Sequence, residues 1–319
     1  MQSRNRSGIA LTLSDDTYTV TLTRSDGGGD QVYSTIATHS SNGLYSANVT
    51  PLIGGEFTMT VHLTNDYTEA SGVATEISGS PFAVTILPGE VYPPLCYTDI
   101  SGSQLTQTNV AYSFNIFFRD EEYNLHYKTM NDEIAAGLVV SVTFDYVNHD
   151  NYPSPLGIAD DSDWQSIYGT SHAGTLTDNN DGSMTASVTI LRAGTYLITV
   201  QVDGIDVIGS PYEHLEIEPT SILPSNCVAD GIEASMTAGY DYTFRLQARD
   251  QYNSNLPKTL SEAVGTDHSV LVSLATNSAD NFSATLSDYS SYGAYLISID
   301  VPKAQTAGTY DFTVMLGGQ

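Results

Sequence analysis

The chain reads as an all-β protein built from tandem antiparallel β-sandwiches, and three observations predict this. Apolar residues alternate with period two over short runs, clusters of Gly, Asn, Asp and Pro separate the runs, and matched segments recur along the sequence. Helical periodicity nowhere exceeds about one turn. The 319 residues, at about 100 to 200 per domain, imply two or three domains. Only 15% of residues are charged, so surface polarity comes from Ser, Thr, Asn, Gly and Tyr, which suit strands and turns better than charged helices.

Taken in order, residues 17–23 place Tyr18, Val20 and Leu22 on one face of a strand. Asn42-Gly43 follows, a pair that reaches φ > 0 at low steric cost and marks a hairpin turn before Tyr45, Ala47 and Val49. Next comes Gly55-Glu56-Phe57-Thr58-Met59-Thr60-Val61, a Gly-x-aromatic element running into alternating apolar residues. It returns as Gly194-Thr195-Tyr196-Leu197-Ile198-Thr199-Val200 and as Gly308-Thr309-Tyr310-Asp311-Phe312-Thr313-Val314. Gly79-Ser80-Pro81-Phe82 and Gly209-Ser210-Pro211-Tyr212 each follow as a turn that opens a final strand. Upstream, residues 112–120, ending Arg119-Asp120, match residues 242–250, ending Arg249-Asp250. Phe282, Ala284 and Leu286 again share one strand face.

One register of about 130 residues aligns these pairs, including Ser80 with Ser210 and Cys96 with Cys227. The matched positions divide the chain into residues 1–89, 90–219 and 220–319. The register leaves the first unit without its opening two strands and the third without its closing strand, as for a stretch cut from a longer array. About seven short strands per complete unit suit a sandwich. The hairpin before the last strand of the first unit carries extra residues, and the second has an insertion near 148–172.

Asn180-Asp181-Gly182, Ala-Gly-Thr-Tyr at 193–196 and 307–310, Gly-Ser-Pro at 79–81 and 209–211, and the Tyr-x-Phe strand entering Arg-Asp together resemble the filamin-type immunoglobulin-like repeat over essentially the whole chain. The Pro-x-x-Cys entry and the Arg-Asp step look most like the repeats of large extracellular protist or algal proteins. The resemblance implies a Greek-key sandwich whose recognition surface is the edge between the third and fourth strands, where an extended peptide adds by β-augmentation. By match, the third strand is 18–22, 139–144 and 270–274, which puts Tyr18, Val20, Leu22, Val139, Val142, Val270 and Val272 on partner-binding edges. The competing reading is that insertions or glycans cover those edges.

Charge narrows the function classes. With 37 acidic against 10 basic residues the formal net charge is −27, which repels nucleic acid and anionic membrane faces. The excess reads either as a solvated surface or as carboxylates clustered to capture a divalent cation. In the insertion, Asp160, Asp161 and Asp163 beside Trp164 are the candidates for calcium, against a solvated variable loop. No other cofactor is expected. Asp178-Asn179-Asn180-Asp181-Gly182 lacks the ligand spacing of an EF-hand and reads as a turn. No run reaches the roughly 18 apolar residues of a membrane span.

The seven histidines have no zinc spacing, and no nucleophile elbow, P-loop or dinucleotide fingerprint occurs. Cys96 and Cys227 lie about one domain apart and are not expected to pair with each other; free thiols and bridges to other segments both stand. Asn5, Asn48 and Asn281 head Asn-x-Ser/Thr sequons, either used for glycosylation or arising by chance in a Ser/Thr/Asn-rich chain.

These features describe a non-enzymatic structural and adhesive array at the cell surface or outside the cell, a spacer whose partners are proteins and its own neighbouring repeats. The alternative is a cytoplasmic actin-crosslinking scaffold, which requires actin-binding domains not found in these residues.

Overall fold

A computed structural model of the chain describes residue 4 and residues 16–27, 31–64, 75–127, 129–148, 170–264, 268–274, 277–290, 293–301 and 307–316. It divides into two compact units, one of residues 1–96 with 117–128 and the other of residues 97–116 with 129–319.

The first unit holds β1 (Tyr18–Arg24), β2 (Val32–Ile36), β3 (Thr38–Ser41), β4 (Leu44–Ser46), β5 (Gly55–Leu63), β6 (Thr75–Glu76) and β7 (Phe82–Ile86). Alternation decides its main sheet, because Tyr18, Val20, Leu22, Phe57 and Val61 point to one side and are buried. The order is β2-β1-β5-β6, with β7 also on β5. Strands β3 and β4 close over the core through Asn42 (φ 52°) and Gly43 (φ 68°). Tyr45 meets the Tyr18 ring edge-on at 4.9 Å.

The second unit continues with β8 (Tyr97–Thr98), β9 (Gln104–Gln107), β10 (Ala111–Phe117), a short helix α1 (Asn131–Ala136), β11 (Val140–Asn148), β12 (Ser171–Ala173), β13 (Thr175–Asp178), β14 (Ser183–Thr189), β15 (Gly194–Val202), β16 (Ile205–Asp206) and β17 (Tyr212–Glu218). Two sheets, β13-β14-β10-β8 and β12-β11-β15-β17-β9, face each other. Phe114 on β10 and Phe144 on β11 pack between them, rings 6.4 Å apart. On β15 every second residue is buried, and burying each of Ile198, Val200 and Val202 is worth about 1.5–3 kcal/mol.

The same unit then repeats the succession with β18 (Val228–Asp230), β19 (Asp241–Gln247), α2 (Leu260–Val264), β20 (His268–Leu274), β21 (Asn277–Ser290), β22 (Ala294–Asp300) and β23 (Tyr310–Leu316). Its core holds Phe244, Leu246, Val270, Val272, Tyr295 and Ile297.

One strand crosses between the sheets in each copy. β21 pairs with β20 by its first part and with β22 by its second. In the preceding copy the crossing is broken into β12 and β13 at Gly174, where a Cβ would stand 3.1 Å from Val142 and 3.3 Å from Phe144. In the first unit β2 pairs with β1 and β3 with β4. Crossing strands and antiparallel order make these immunoglobulin-like Greek-key sandwiches.

This crossing corrects the expected partner-binding edges. β1 lies between β2 and β5, β11 between β12 and β15, and β20 between β21 and β23. The crossing strand pairs with Thr19–Thr23 of β1, Thr143–Asp145 of β11 and Val270–Leu274 of β20 on the side away from β5, β15 and β23, and Tyr18, Val20, Leu22, Val142, Val270 and Val272 point into cores. Val139 is exposed but precedes β11, its N–H bonded to Asp203 Oδ1 at 2.8 Å. The outer position belongs to the crossing strand, which pairs alongside the third strand before changing sheets.

Candidate functional site: an aspartate-held loop

The matched Arg-Asp steps follow strands β10 and β19 and open two loops of the same shape. In the first unit Asp120, 2% exposed, anchors residues 119–125. Its Oδ1 accepts the N–H groups of Glu122 (3.0 Å) and Asn124 (2.8 Å), which curls the loop back on its aspartate. Tyr123 takes φ 66° at the turn. Oδ2 accepts Gly89 N–H (2.8 Å) and Asn124 Nδ2 (2.8 Å). Asn124 then reaches the start of β5: its Nδ2 donates to Leu52 O and its Oδ1 accepts Gly54 N–H, both at 2.9 Å. Burial pushes the Asp120 carboxyl up, but the Asn124 amide and the N–H groups of Gly89, Asn124 and Glu122 outweigh it and hold the pKa below the ordinary carboxylate value.

In the second unit Asp250 is fully buried and does the same work. Oδ1 accepts Tyr252 N–H (2.8 Å) and Ser254 N–H (2.9 Å), with Asn253 at φ 62°. Oδ2 accepts Thr220 N–H (3.1 Å), Thr220 Oγ1–H (3.4 Å) and Thr108 Oγ1–H (3.2 Å). Ser254 Oγ accepts Ala193 N–H at 3.1 Å, just before β15. Each aspartate therefore joins its own loop, the connection at Gly89 or Thr220, and through position 124 or 254 the lead into β5 or β15. Tyr92 N–H to Arg119 O (2.7 Å) and Leu223 N–H to Arg249 O (2.8 Å) complete the parallel.

The matching sequence signal was the Arg-Asp pair; its role was not readable, because Gly89, Thr108, Ala193 and Thr220 are distant in sequence. The usable clue is an aspartate just after a strand, recurring at one offset, with Asn or Ser four residues on.

The Gly-Ser-Pro and Gly-x-Tyr motifs have local explanations. Ser80 Oγ accepts Val61 N–H (3.1 Å), and Ser210 Oγ accepts Val200 N–H (2.9 Å), pinning the turn to the neighbouring strand. Gly79 (φ 92°) and Gly209 (φ 87°) adopt the left-handed region, and both Ser–Pro bonds are cis. Tyr196 donates its hydroxyl to Arg192 O at 3.1 Å, a tyrosine corner of the immunoglobulin-like kind.

The cysteines each follow a single 3-10 turn, at Pro93–Leu95 and Pro224–Asn226, and both are free thiols. Burial pushes the Cys96 thiol up to about 11 against the opposing pull of Arg119, and burial raises Cys227 likewise. Asn48 is exposed just after β4, and Asn281 lies on β21 opposite Ser273. Asn5, Asp160, Asp161 and Asp163 lie outside the described residues. Among the described residues no group of three His, Cys, Asp or Glu side chains is placed to hold a metal ion. Asp178 to Gly182 forms the β13–β14 hairpin turn, with Asp178 Oδ1 accepting Asn180 N–H at 2.8 Å.

No family model matches the chain, and no curated protein matches it. Among solved structures it is similar to the Escherichia coli adhesin FdeC, with 13% identity over 100% of this chain and 83% of that one, at a TM-score of 0.41. Invasin, a bacterial integrin-binding protein, gives 12% identity and a TM-score of 0.41 over 98% of this chain, which spans about half (51%) of the invasin structure. Yersinia pseudotuberculosis InvD gives 12%, 99% of this chain, 91% of that chain and 0.41. The fold assignment rests on the topology above: the chain is a tandem of immunoglobulin-like β-sandwiches. Among the described residues no helix is long and apolar enough to cross a membrane.

Proposed function

We propose that the chain is a non-enzymatic structural and adhesive array of filamin-type repeats from an extracellular or cell-surface protein, serving as a spacer and a protein-binding scaffold. The observation that carries this reading is the recurrence of the aspartate-held loop. A buried carboxylate whose acceptor sites are filled by main-chain and hydroxyl donors serves geometry, and its like recurs at the same register. With repeats at 1–89, 90–219 and 220–319, each loop ties one repeat to the connection that precedes it and to the lead into a strand of the repeat before. Such a joint stiffens a string of sandwiches. The charge of −27 keeps an array of this kind soluble and non-sticky, and exposed Asn48 suits a glycoprotein.

Glycopeptide analysis of the protein from its source, combined with protease shaving of intact cells, tests the location. Glycan at Asn48 or Asn281 and loss of the protein on shaving are expected. Both sites bare, in a protein recovered only from the cytosol, would overturn the extracellular reading.

A further inference from the structure

The succession from Tyr97 to Glu218 enters and leaves through neighbouring strands. Its entering segment runs parallel to its closing strand: Gln104, Leu105, Thr106 and Gln107 of β9 lie opposite Leu215, Glu216, Ile217 and Glu218 of β17. Tyr97 bridges Ile208, also in parallel and in the same register. At the far end of the ladder Thr108 N–H donates to Glu218 O at 2.9 Å. By the strand's period of two, Thr106 turns its main-chain groups toward β17 as Thr108 does, and Leu105 turns its own outward. Among the described residues β9 ends the sheet. Behind the ladder Leu215 and Ile217 are fully buried, and β17 is held antiparallel to β15, Ile217 opposite Gly194 and Leu215 opposite Tyr196.

The direction of this ladder decides how it meets tension along the chain. Tension enters at Tyr97, on the amino side of β9, and leaves at Glu218, the carboxyl end of β17. In a parallel pair these points lie at opposite ends, so the strands are drawn past each other along their length and the cross-strand bonds resist together. In an antiparallel pair they would lie at one end, and the bonds would open one at a time. A single main-chain bond contributes only about 0.5–1.5 kcal/mol net, so the difference between opening in turn and opening together is the difference between weak and strong resistance. The exit is tied as well. Thr108 Oγ1–H and Thr220 N–H both donate to Asp250 Oδ2, at 3.2 and 3.1 Å, which holds the residues flanking the far end of the ladder on one buried carboxylate.

We propose that the β9–β17 ladder is a mechanical clamp, and that residues 97–218 serve to keep the array folded when it is pulled along its length. Resistance then has a direction: high for tension that enters at Tyr97 and leaves at Glu218, low for a pull that separates β9 from β17 sideways. The inference deepens the spacer reading above. Its test is read on a single molecule and does not depend on cellular location; a chain that resisted equally in all directions would lack the clamp and could still be a spacer.

The test pulls single molecules of the 319-residue chain at fixed force in optical tweezers, with Cys96→Ala and Cys227→Ala in every molecule compared. Handles coupled at Glu90→Cys and Ser221→Cys, exposed positions on either side of residues 97–218, load the ladder along its strands. Handles coupled at Ser103→Cys and Glu213→Cys, exposed positions on the amino sides of the paired residues of β9 and β17, load the same ladder sideways. At equal force, opening should be at least about fivefold slower in the first geometry, the scale of one hydrogen bond that has to break together with its neighbours. In that geometry Thr106→Pro, which removes an N–H facing β17, should speed opening at least about fivefold. Leu105→Pro, whose lost N–H faces outward, should change the rate less than about twofold. Equal rates in the two geometries, or a Leu105→Pro chain that opens as fast as Thr106→Pro, overturns the proposal. The comparison of geometries needs only the handle substitutions, so it decides the matter even where Thr106→Pro does not fold.

Discussion

Asp250→Asn isolates the joint with the smallest change of shape. Asp250 accepts five hydrogen bonds at full burial: two from its own loop on Oδ1, and three on Oδ2 from Thr220 N–H and the hydroxyls of Thr220 and Thr108. An asparagine keeps the oxygen that faces Tyr252 and Ser254 and turns an NH2 toward Thr220. The hydroxyls can rotate to accept from it, but the Thr220 N–H meets another donor. The loss is one charge-assisted bond, about 1.5–3 kcal/mol, part of which is the cost of the buried N–H left without an acceptor. With the weaker neutral bonds on Oδ1 the sum is about 3 kcal/mol. For a cooperative unit of 150–250 residues this lowers Tm by roughly 6–12 °C. Urea unfolding followed by far-ultraviolet circular dichroism reads the change in midpoint. Thr108→Val removes one donor, and its cycle with Asp250→Asn should give a coupling of about 1 kcal/mol. If Asp250→Asn and Asp120→Asn each fall within about 0.5 kcal/mol of the parent, in the range of ordinary surface substitutions, the loops are not anchored as described.

Four further outcomes follow from the same contacts. Asp120 has a folded pKa below its unfolded value of about 3.9, so its contribution is complete above that value and disappears as pH falls through the folded one; the stability gap between parent and Asp120→Asn should be constant near neutrality and close below about pH 4 in urea titrations at stepped pH. Ser210→Ala strips the acceptor from Val200 N–H and should cost about 1–2 kcal/mol by chemical denaturation. Gly27→Ala meets nothing within 4 Å and costs only the left-handed backbone, about 1 kcal/mol, whereas Gly293→Ala puts a Cβ 1.9 Å from Leu256 O and should cost clearly more, both read by Tm. Cys96, buried and with its pKa raised to about 11, should resist a thiol reagent at pH 8 until the chain is unfolded, by mass spectrometry of the labelled protein.

What the sequence made legible was local chemistry. The Asn42-Gly43 turn, the buried faces of residues 18–22 and 194–200, and the Gly-Ser-Pro turns all involve residues whose partners lie on the same hairpin or are implied by alternation. The edge assignment went wrong at the one step that alternation does not encode. Period two says which side chains face the core, but not which strand lies alongside, and the crossing strand covers β1, β11 and β20 by joining their sheet first. The joint was hidden for the same reason. Arg119-Asp120 and Arg249-Asp250 stood out as a match, while the donors that give the aspartates a role come from residues up to 142 positions away.

The two loops also show where the constraint lies. Position 124 is an asparagine that makes three hydrogen bonds with its side chain, and position 254 a serine whose hydroxyl accepts one from Ala193. Thr108 and Thr220 supply hydroxyl donors to Asp250, where Asp120 receives a side-chain amide instead. The peripheral partners differ, yet both aspartates receive the N–H groups two and four residues on and the N–H of the connecting segment. A carboxylate is the side chain that serves all three at once, because one oxygen closes the loop while the other remains an acceptor for the connection. An amide offers one acceptor oxygen and a shorter side chain offers none at that reach. The aspartate is therefore fixed by the geometry of backbone donors, and the surrounding residues are free to vary so long as the second oxygen stays occupied.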